Sequence, residues 1–389
     1  MYQIQTLNQI SPKGLDHFPR ESYEVAGELS DPDAIVVRSF KMHEMALGEN
    51  LKAIARAGAG TNNIPIATCS EKGIVVFNTP GANANAVKEM VLAGLFLASR
   101  DVTGAVNWVQ GIEDEGENVP SLVEKNKSRF GGCEIKGKKL GVVGLGAIGA
   151  MVANSAIDLG MEVIGYDPYL SVEAAWELSS KVKKATGLET LLSQVDYLTI
   201  HIPLLESTKH TFNAEKFTMM KEGIRIVNFA RGGLVDDDAM IEALGSGKVA
   251  SYVTDFPEAK LLGVAGVVPI PHLGASTAES EENCAVMAVA QVKDFLEDGN
   301  IKNSVNFPQA ILPRAKNSYR ITVTNQNVPN MIGEISSILA EYGLNIIDML
   351  NKSRDDIAYS IIDVACEVSD EVVAKLQSID GVMSVRSLG

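Results

Sequence analysis

Short apolar runs alternate with polar stretches through the first ninety residues: Met1 to Leu7, Ala34-Ile35-Val36-Val37, Leu51 to Ala55 and Ile74-Val75-Val76-Phe77. Runs this short, separated by helical stretches, predict a small parallel α/β sheet. A long apolar-periodic helix is predicted over about Ala84 to Gln110, and Gly111 to Gly132, with the acidic run Glu113-Asp114-Glu115, reads as a solvated loop. From Lys138 onward the apolar runs recur at Leu140 to Val143, Glu162 to Tyr166, Asp196 to Ile200, Arg225 to Asn228, Ala250 to Thr254 and Gly266 to Val268. Six such strands make a doubly wound sheet. A second long helical pattern, about Ala278 to Asp298, would cross back to the first lobe and leave a cleft between the two.

After Asn300 the pattern changes, and Pro308, Pro313 and the polar Ala315 to Ser318 predict a linker. The tail then reads strand (Arg320 to Val323), helix (Met331 to Tyr342), strand (Ile346 to Ser353), strand (Ala358 to Ala365), helix (Asp370 to Ser378) and strand (Val382 to Ser387). That βαββαβ order is ferredoxin-like. The expected domains are residues 1–95 with 278–305, a Rossmann domain at 96–277, a linker at 306–317 and the ferredoxin-like tail at 318–389.

Composition narrows the class. With 46% hydrophobic residues and four cysteines, the chain is neither disordered nor a disulfide scaffold. Its formal charge of −15 argues against nucleic-acid or membrane-surface partners, so an anionic ligand would need its own cluster of Arg and Lys. Cys69, Cys133, Cys284 and Cys366 are far apart, with no metal-ligand spacing, and read as buried thiols of a cytoplasmic protein. No run approaches the roughly 20 apolar residues that span a bilayer, and no signal peptide opens the chain.

The most specific chemistry lies in Leu140-Gly141-Val142-Val143-Gly144-Leu145-Gly146-Ala147-Ile148-Gly149. A buried strand feeds a turn of three glycines and then a helix, whose N-terminal amides can receive a pyrophosphate. Alone the motif matches many plain βαβ turns. The next strand, however, ends in Asp167, where a ribose hydroxyl needs an acceptor, and Pro168 and Tyr169 follow it without a cation for a 2′-phosphate. NAD is therefore the expected cofactor.

Three ionisable residues fall at or just after strand ends: Arg231 in Asn228-Phe229-Ala230-Arg231-Gly232-Gly233, Glu258 after Asp255, and His272 in Pro271-His272-Leu273-Gly274-Ala275. Hydride transfer from an alcohol to NAD needs a base for the hydroxyl proton, a cation for the forming carbonyl and its carboxylate, and an acid supporting the base. His272, Arg231 and Glu258 suit those roles in turn, although a lone histidine is also compatible with a structural role. Of the five histidines, His201 reads as lining the cofactor cleft, and His43 and His210 as surface residues.

The motifs together resemble those of the D-isomer-specific 2-hydroxyacid dehydrogenases. The carrying stretches are Val37-Arg38-Ser39, Arg56 to Ile64, Asn78-Thr79-Pro80, Gly144 to Gly149, His201 to Leu204, Asn228 to Gly233 and Pro271 to Thr277. The resemblance implies a flavodoxin-like substrate lobe and a Rossmann lobe. It implies catalysis by Arg231, Glu258 and His272, with His272 paired to Glu258. NAD contacts are implied at Gly144, Gly146, Ala147, Ile148, Gly149, Asp167, His201, Ile202, Pro203, Thr208, Phe229, Ala230, Arg231, Asp255, His272, Gly274 and Ala275. Substrate contacts are implied at Arg38, Ser39, Gly58, Ala59 and Gly60; Arg56, Lys41 and Arg129 are candidate helpers for a phosphate from charge and position. At Thr254-Asp255-Phe256-Pro257-Glu258-Ala259-Lys260 the chain departs from the family's usual Asp-Val-Phe-Pro-x-Glu-Pro.

The implied reaction is oxidation of D-3-phosphoglycerate to 3-phosphohydroxypyruvate, the first step of L-serine biosynthesis by the phosphorylated pathway. The alternatives are a glyoxylate or hydroxypyruvate reductase and a noncatalytic NAD-sensing corepressor-like protein. The tail resembles an ACT regulatory domain, with Asn325, Asn327, Asn345 and Ile346 at effector positions for L-serine and Asn330 where glycine is usual. A homodimer or homotetramer is implied, with no metal.

Overall fold

The computed structural model describes the chain from Met1 to Gly389, apart from the side chain of Glu173. It divides into two compact units, Met1–Asn83 with Ala278–Gly389, and Ala84–Thr277. The first unit holds a parallel sheet of β1 (Tyr2–Leu7), β2 (Tyr23–Ala26), β3 (Ala34–Val37), β4 (Ala53–Arg56) and β5 (Val75–Phe77), in the order β2-β1-β3-β4-β5. That is the flavodoxin-like order. β3 is buried at every position, which is why it reads as an unbroken apolar run. β2 escapes the sequence pattern because it is an edge strand of four residues carrying Glu24. The helix Ala278–Asp298 lays Cys284, Ala285, Ala288, Val292 and Phe295 into the same core as Val36, Ala55 and Phe77. Each large apolar side chain buried there contributes about 1.5–3 kcal/mol.

The second unit contains β6 (Lys139–Val143), β7 (Glu162–Tyr166), β8 (Lys183–Lys184), β9 (Tyr197–Ile200), β10 (Ile224–Asn228), β11 (Val249–Thr254) and β12 (Val267–Pro269). All run parallel in the order β12-β11-β10-β9-β6-β7-β8, a Rossmann arrangement with one strand more than the six expected. The unforeseen β8 is two exposed lysines at the sheet edge, with no apolar signal.

Two expectations for residues 84–132 need correction. The long helix is two, Ala84–Ser99 and Val102–Gln110, because Asp101 caps the second by accepting the Gly104 N–H at 2.9 Å. The expected loop is largely helical: 3₁₀ turns at Glu113–Asn118 and Lys127–Phe130 flank a helix at Val119–Asn126, none with a buried residue. The acidic run fills a first turn, where negative charge is favoured, and Pro120 opens the following helix. Ala84–Ser99 packs inside the second unit. A Cβ on Gly94 would lie 3.0 Å from Phe229 and 3.1 Å from Val227, so this helix needs glycine to approach β10. The unit boundary thus falls at Asn83.

The tail forms β13 (Tyr319–Gln326), a helix (Met331–Glu341), β14 (Ile346–Arg354), β15 (Ile357–Val364), a helix (Asp370–Gln377) and β16 (Val382–Leu388). The strands are antiparallel in the order β14-β15-β13-β16. Asn330 enters the first helix at φ 72°, the left-handed conformation that its sequence position demands. Ile335, Leu339, Val372 and Leu376 cover one sheet face, while Tyr359 and Ile361 on β15 join the core under the parallel sheet.

Residues 306–317 contribute to that packing as well, with Phe307, Ala310 and Leu312 buried. Arg320 and Asp363, both fully buried, form a two-pronged pair at 2.6 and 2.8 Å, and Arg320 also donates to Asp298 O and Leu312 O at 2.9 Å each. Arg386 donates to Phe295 O and Leu296 O, and the Tyr359 hydroxyl to Gly299 O. The tail sheet therefore grips the C-terminal turn of Ala278–Asp298 and adds cations where the helix dipole is negative.

The cysteine expectation holds in part. Cys69 and Cys284 are buried, whereas Cys133 is half-buried and Cys366 exposed; all four are free thiols. Among the described residues no helix is long and apolar enough to cross a membrane.

Candidate active site

The glycine turn after β6 shows three separate constraints. At Gly144, φ is 90° and a Cβ would come within 2.5 Å of His201 O; at Gly149 it would stand 1.9 Å from Gly144 O. At Gly146, by contrast, a Cβ would meet nothing within 4 Å. Packing inside the turn demands the first two, and open space lies in front of the third. Gly146 is also the N-cap of Ala147–Asp158, and no side chain caps that helix, so its first-turn amides are open to a ligand. Asp167 follows β7 with Oδ2 accepting the Leu145 N–H and Oδ1 the Tyr169 N–H, both at 2.8 Å. The turn, the uncapped helix and the carboxylate suit a dinucleotide: pyrophosphate at Gly146, Ala147 and Ile148, ribose at Asp167.

After β9, the His201 ring is hydrogen-bonded to Thr199 Oγ1 at 2.9 Å, and burial pushes its pKa down to about 3. A neutral imidazole is thereby kept beside the glycine turn. Thr208 donates to Pro203 O and accepts the Leu205 N–H, closing the loop that carries Ile202 and Pro203.

β10 and β11 set the other rim. Asn228, 1% exposed, accepts the Ala230 N–H and donates to Arg231 O, bending the chain so that Arg231 is exposed at the tip. Phe229 turns inward, and Ala230 is half-buried. Asp255, 2% exposed, accepts the amides of Leu273 and Gly274 at 2.7 and 2.8 Å. It anchors the His272 loop, and a Cβ at Gly274 would crowd its carboxylate at 2.9 Å. His272 has φ 53°, and its ring lies 4.6 Å from that of Phe256. A non-glycine residue held there by fixed partners is a strained, positioned side chain. Ala275, next in the loop, is half-buried.

Glu258 stands apart from this group. Among the described residues no hydrogen bond or ion pair joins it to His272. Its charge acts instead on Asp237, whose pKa is raised by burial and by neighbouring carboxylates against the opposing pull of Lys260. Sequence reasoning did not find the anchoring roles of Asn228 and Asp255 or the Phe256 contact. The polar residues closing two apolar strands were their only signal.

In the first unit, the Arg38 guanidinium pairs with Glu281 at 2.5 Å, both partly exposed. Asn8, at φ 71°, accepts the amides of Ser39 and Phe40 and holds that turn. Arg56 donates to Arg38 O. Gly58 leaves room for the Arg56 side chain, its carbonyl accepts the Thr79 N–H, and Ala59 O accepts from Asn78. Gly60 is half-buried and Lys41 exposed; Arg129 belongs to the second unit, against Phe130.

The four effector candidates do not gather in one place. Asn325 pairs with Ala358 and Asn327 binds Asp355 O and Asp356 O, whereas Asn345 and Ile346 lie by Ala365 and Val364 at the other end of β15. Six residues of strand separate the two ends, about 20 Å.

Comparison with known proteins agrees with this geometry. Residues 94–274 match the family described as D-isomer specific 2-hydroxyacid dehydrogenase, NAD binding domain. The D-3-phosphoglycerate dehydrogenase of Haemophilus influenzae is 31% identical across 99% of this chain and 94% of its own length. The hydroxypyruvate reductase of Thermotoga maritima is 37% identical over 70% of this chain and 87% of its own. Some other D-3-phosphoglycerate dehydrogenases are longer, and the chain spans only about half of them. Among solved structures, the NAD+-bound 3-phosphoglycerate dehydrogenase of Entamoeba histolytica superposes with a TM-score of 0.60 at 26% identity, covering 78% of this chain and 98% of that one. The chain belongs to the D-isomer specific 2-hydroxyacid dehydrogenases and is an NAD-dependent oxidoreductase. Within that class, the Haemophilus influenzae D-3-phosphoglycerate dehydrogenase is a relative it resembles from end to end.

Proposed function

We propose that this enzyme oxidises D-3-phosphoglycerate to 3-phosphohydroxypyruvate, opening L-serine biosynthesis in the cytoplasm. The observation that carries the reading is the match to the Haemophilus influenzae enzyme over 99% of the chain, tail included. When bound, NAD supplies the hydride acceptor. Arg231, exposed at its glycine-flanked tip, holds the substrate carboxylate with its planar fork and polarises the forming carbonyl. His272 takes the hydroxyl proton, fixed in place by the Asp255 anchor and the Phe256 ring. Glu258 stabilises the resulting imidazolium through space. Arg38 and Arg56 supply cations for the phosphate, and binding there competes with Glu281 for Arg38.

L-Serine regulation through the tail is part of the same reading. Asn325 is 1% exposed with its Oδ1 unpartnered, a polar group waiting for a donor. A site using both Asn325 and Asn345 needs two copies of the tail, which favours a homodimer or homotetramer. A second reading, reduction of hydroxypyruvate or glyoxylate, is favoured by the 37% identity to the Thermotoga maritima reductase. Steady-state assays with NAD and 3-phosphoglycerate, and with NADH and the two unphosphorylated acids, separate them. The proposal predicts the higher kcat/KM on the phosphorylated pair, and a preference for the unphosphorylated acids overturns it. Serine added to the same assay lowers the rate if the tail is regulatory.

A further inference from the structure

Outside the residues so far assigned, one cavity of about 630 Å³ lies between the loop Asn303 to Gln309 and β14 of the tail. Its volume is within the range of small-molecule sites, roughly 300–1,000 Å³. Lys352 and Arg354, two positions apart, share one face of β14 and line it, with Asn303, Ser304 and Gln309 opposite; no carboxylate is among the lining residues. That is unexpected in a chain with 49 acidic and 34 basic residues.

The cations are also poorly compensated. Lys352 has no hydrogen-bond or ion-pair partner among the described residues, and the nearest carboxylate to Arg354 is exposed Asp355 at 3.8 Å. Arg354 spends one nitrogen on Ser304 O at 3.2 Å, which leaves most of its fork free. The side-chain amides of Asn303 and Gln309 make no bond among the described residues either. Meanwhile the opposing loop is rigid: Ser304 Oγ donates to Val76 O and accepts the amides of Asn306 and Phe307, and Asn303 is held at φ 57°. Free donors on a preformed wall cost little to order on binding.

We infer that this cavity is a second anion site, taking the phosphate group of a small phosphorylated molecule between Lys352 and Arg354. A bound phosphate would tie the body loop to the edge strand of the tail. The inference does not depend on which hydroxy acid the enzyme oxidises.

The test reads one residue. The full chain is treated with a limiting amine-acylating reagent, with and without inorganic phosphate at constant ionic strength, and labelling of Lys352 and of exposed Lys125 is followed by peptide mass spectrometry. Phosphate at about four times its Kd should slow acylation of Lys352 about fivefold and leave Lys125 unchanged. Arg354→Ala should abolish that protection while NAD-dependent turnover stays at the parent value. Equal slowing by chloride, equal slowing at Lys125, or full protection in Arg354→Ala would overturn the site.

Discussion

Two helix ends in this molecule are treated in opposite ways. The N-terminus of Ala147–Asp158 is left uncapped, with open space before Gly146, whereas at the C-terminal end of Ala278–Asp298 the carbonyls of Phe295, Leu296, Asp298 and Gly299 accept from Arg320, Arg386, Tyr359 and Tyr2. The first arrangement leaves donors and positive dipole for an anion from outside; the second uses the chain's own cations to close the end. Unsatisfied backbone marks the end proposed for the cofactor, and satisfied backbone marks the fastening of the tail.

The largest effect expected from breaking this contrast is at the closed end. Arg320→Ala leaves Asp363 buried and unpaired, and should cost about 3–5 kcal/mol in denaturant unfolding while NADH affinity is retained. At the open end the glycines should separate. Gly149→Ala forces a Cβ into Gly144 O and should destabilise the fold by about 1–3 kcal/mol or more. Gly146→Ala has room to fold normally but projects a methyl toward the ligand, so NADH titration should show about tenfold weaker binding at unchanged Tm. Equal Tm losses in the two variants would contradict the distinction.

Smaller, pH-dependent effects follow. Burial raises the Asp363 carboxyl, but hydrogen bonds from Arg320 and the Ala315 amide, with the charges of Arg320 and Arg314, outweigh it and hold it below its ordinary value of 3.8. Its stabilising contribution is complete above that value and is lost as pH falls through the depressed one. Unfolding midpoints below pH 3.8 should therefore drop more steeply in the parent than in Arg320→Met/Asp363→Leu. His201 is the converse case. The unfolded ring protonates near 6.5 while the folded one stays neutral to about 3, so the unfolded state binds more protons and stability is lost as pH falls from 6.5 toward 3. His201→Gln should flatten the slope.

The open end was legible in the sequence because it is local. Gly144, Gly146, Gly149 and Asp167 lie within one βαβ unit, where each glycine has a fixed duty. The tail's strand and helix order was legible for the same reason, from apolar runs of ordinary length. The closed end was not: Arg320, Tyr359 and Arg386 meet residues 295–299 across tens of residues, and a buried arginine looks like any other in the sequence. Asp255 was visible as an acid ending a strand, but its grip on the Leu273 and Gly274 amides needed the fold. The resemblance that paired His272 with Glu258 carried no information on whether the two side chains are bonded at rest.

The central claim is that this is a dehydrogenase whose proton transfer runs through His272. It is tested most directly by comparing parent and His272→Ala in NAD-dependent oxidation of D-3-phosphoglycerate, with NADH binding measured alongside. Turnover should fall by about 10²–10⁴ with NADH affinity nearly unchanged. An undiminished rate in the variant would contradict the claim.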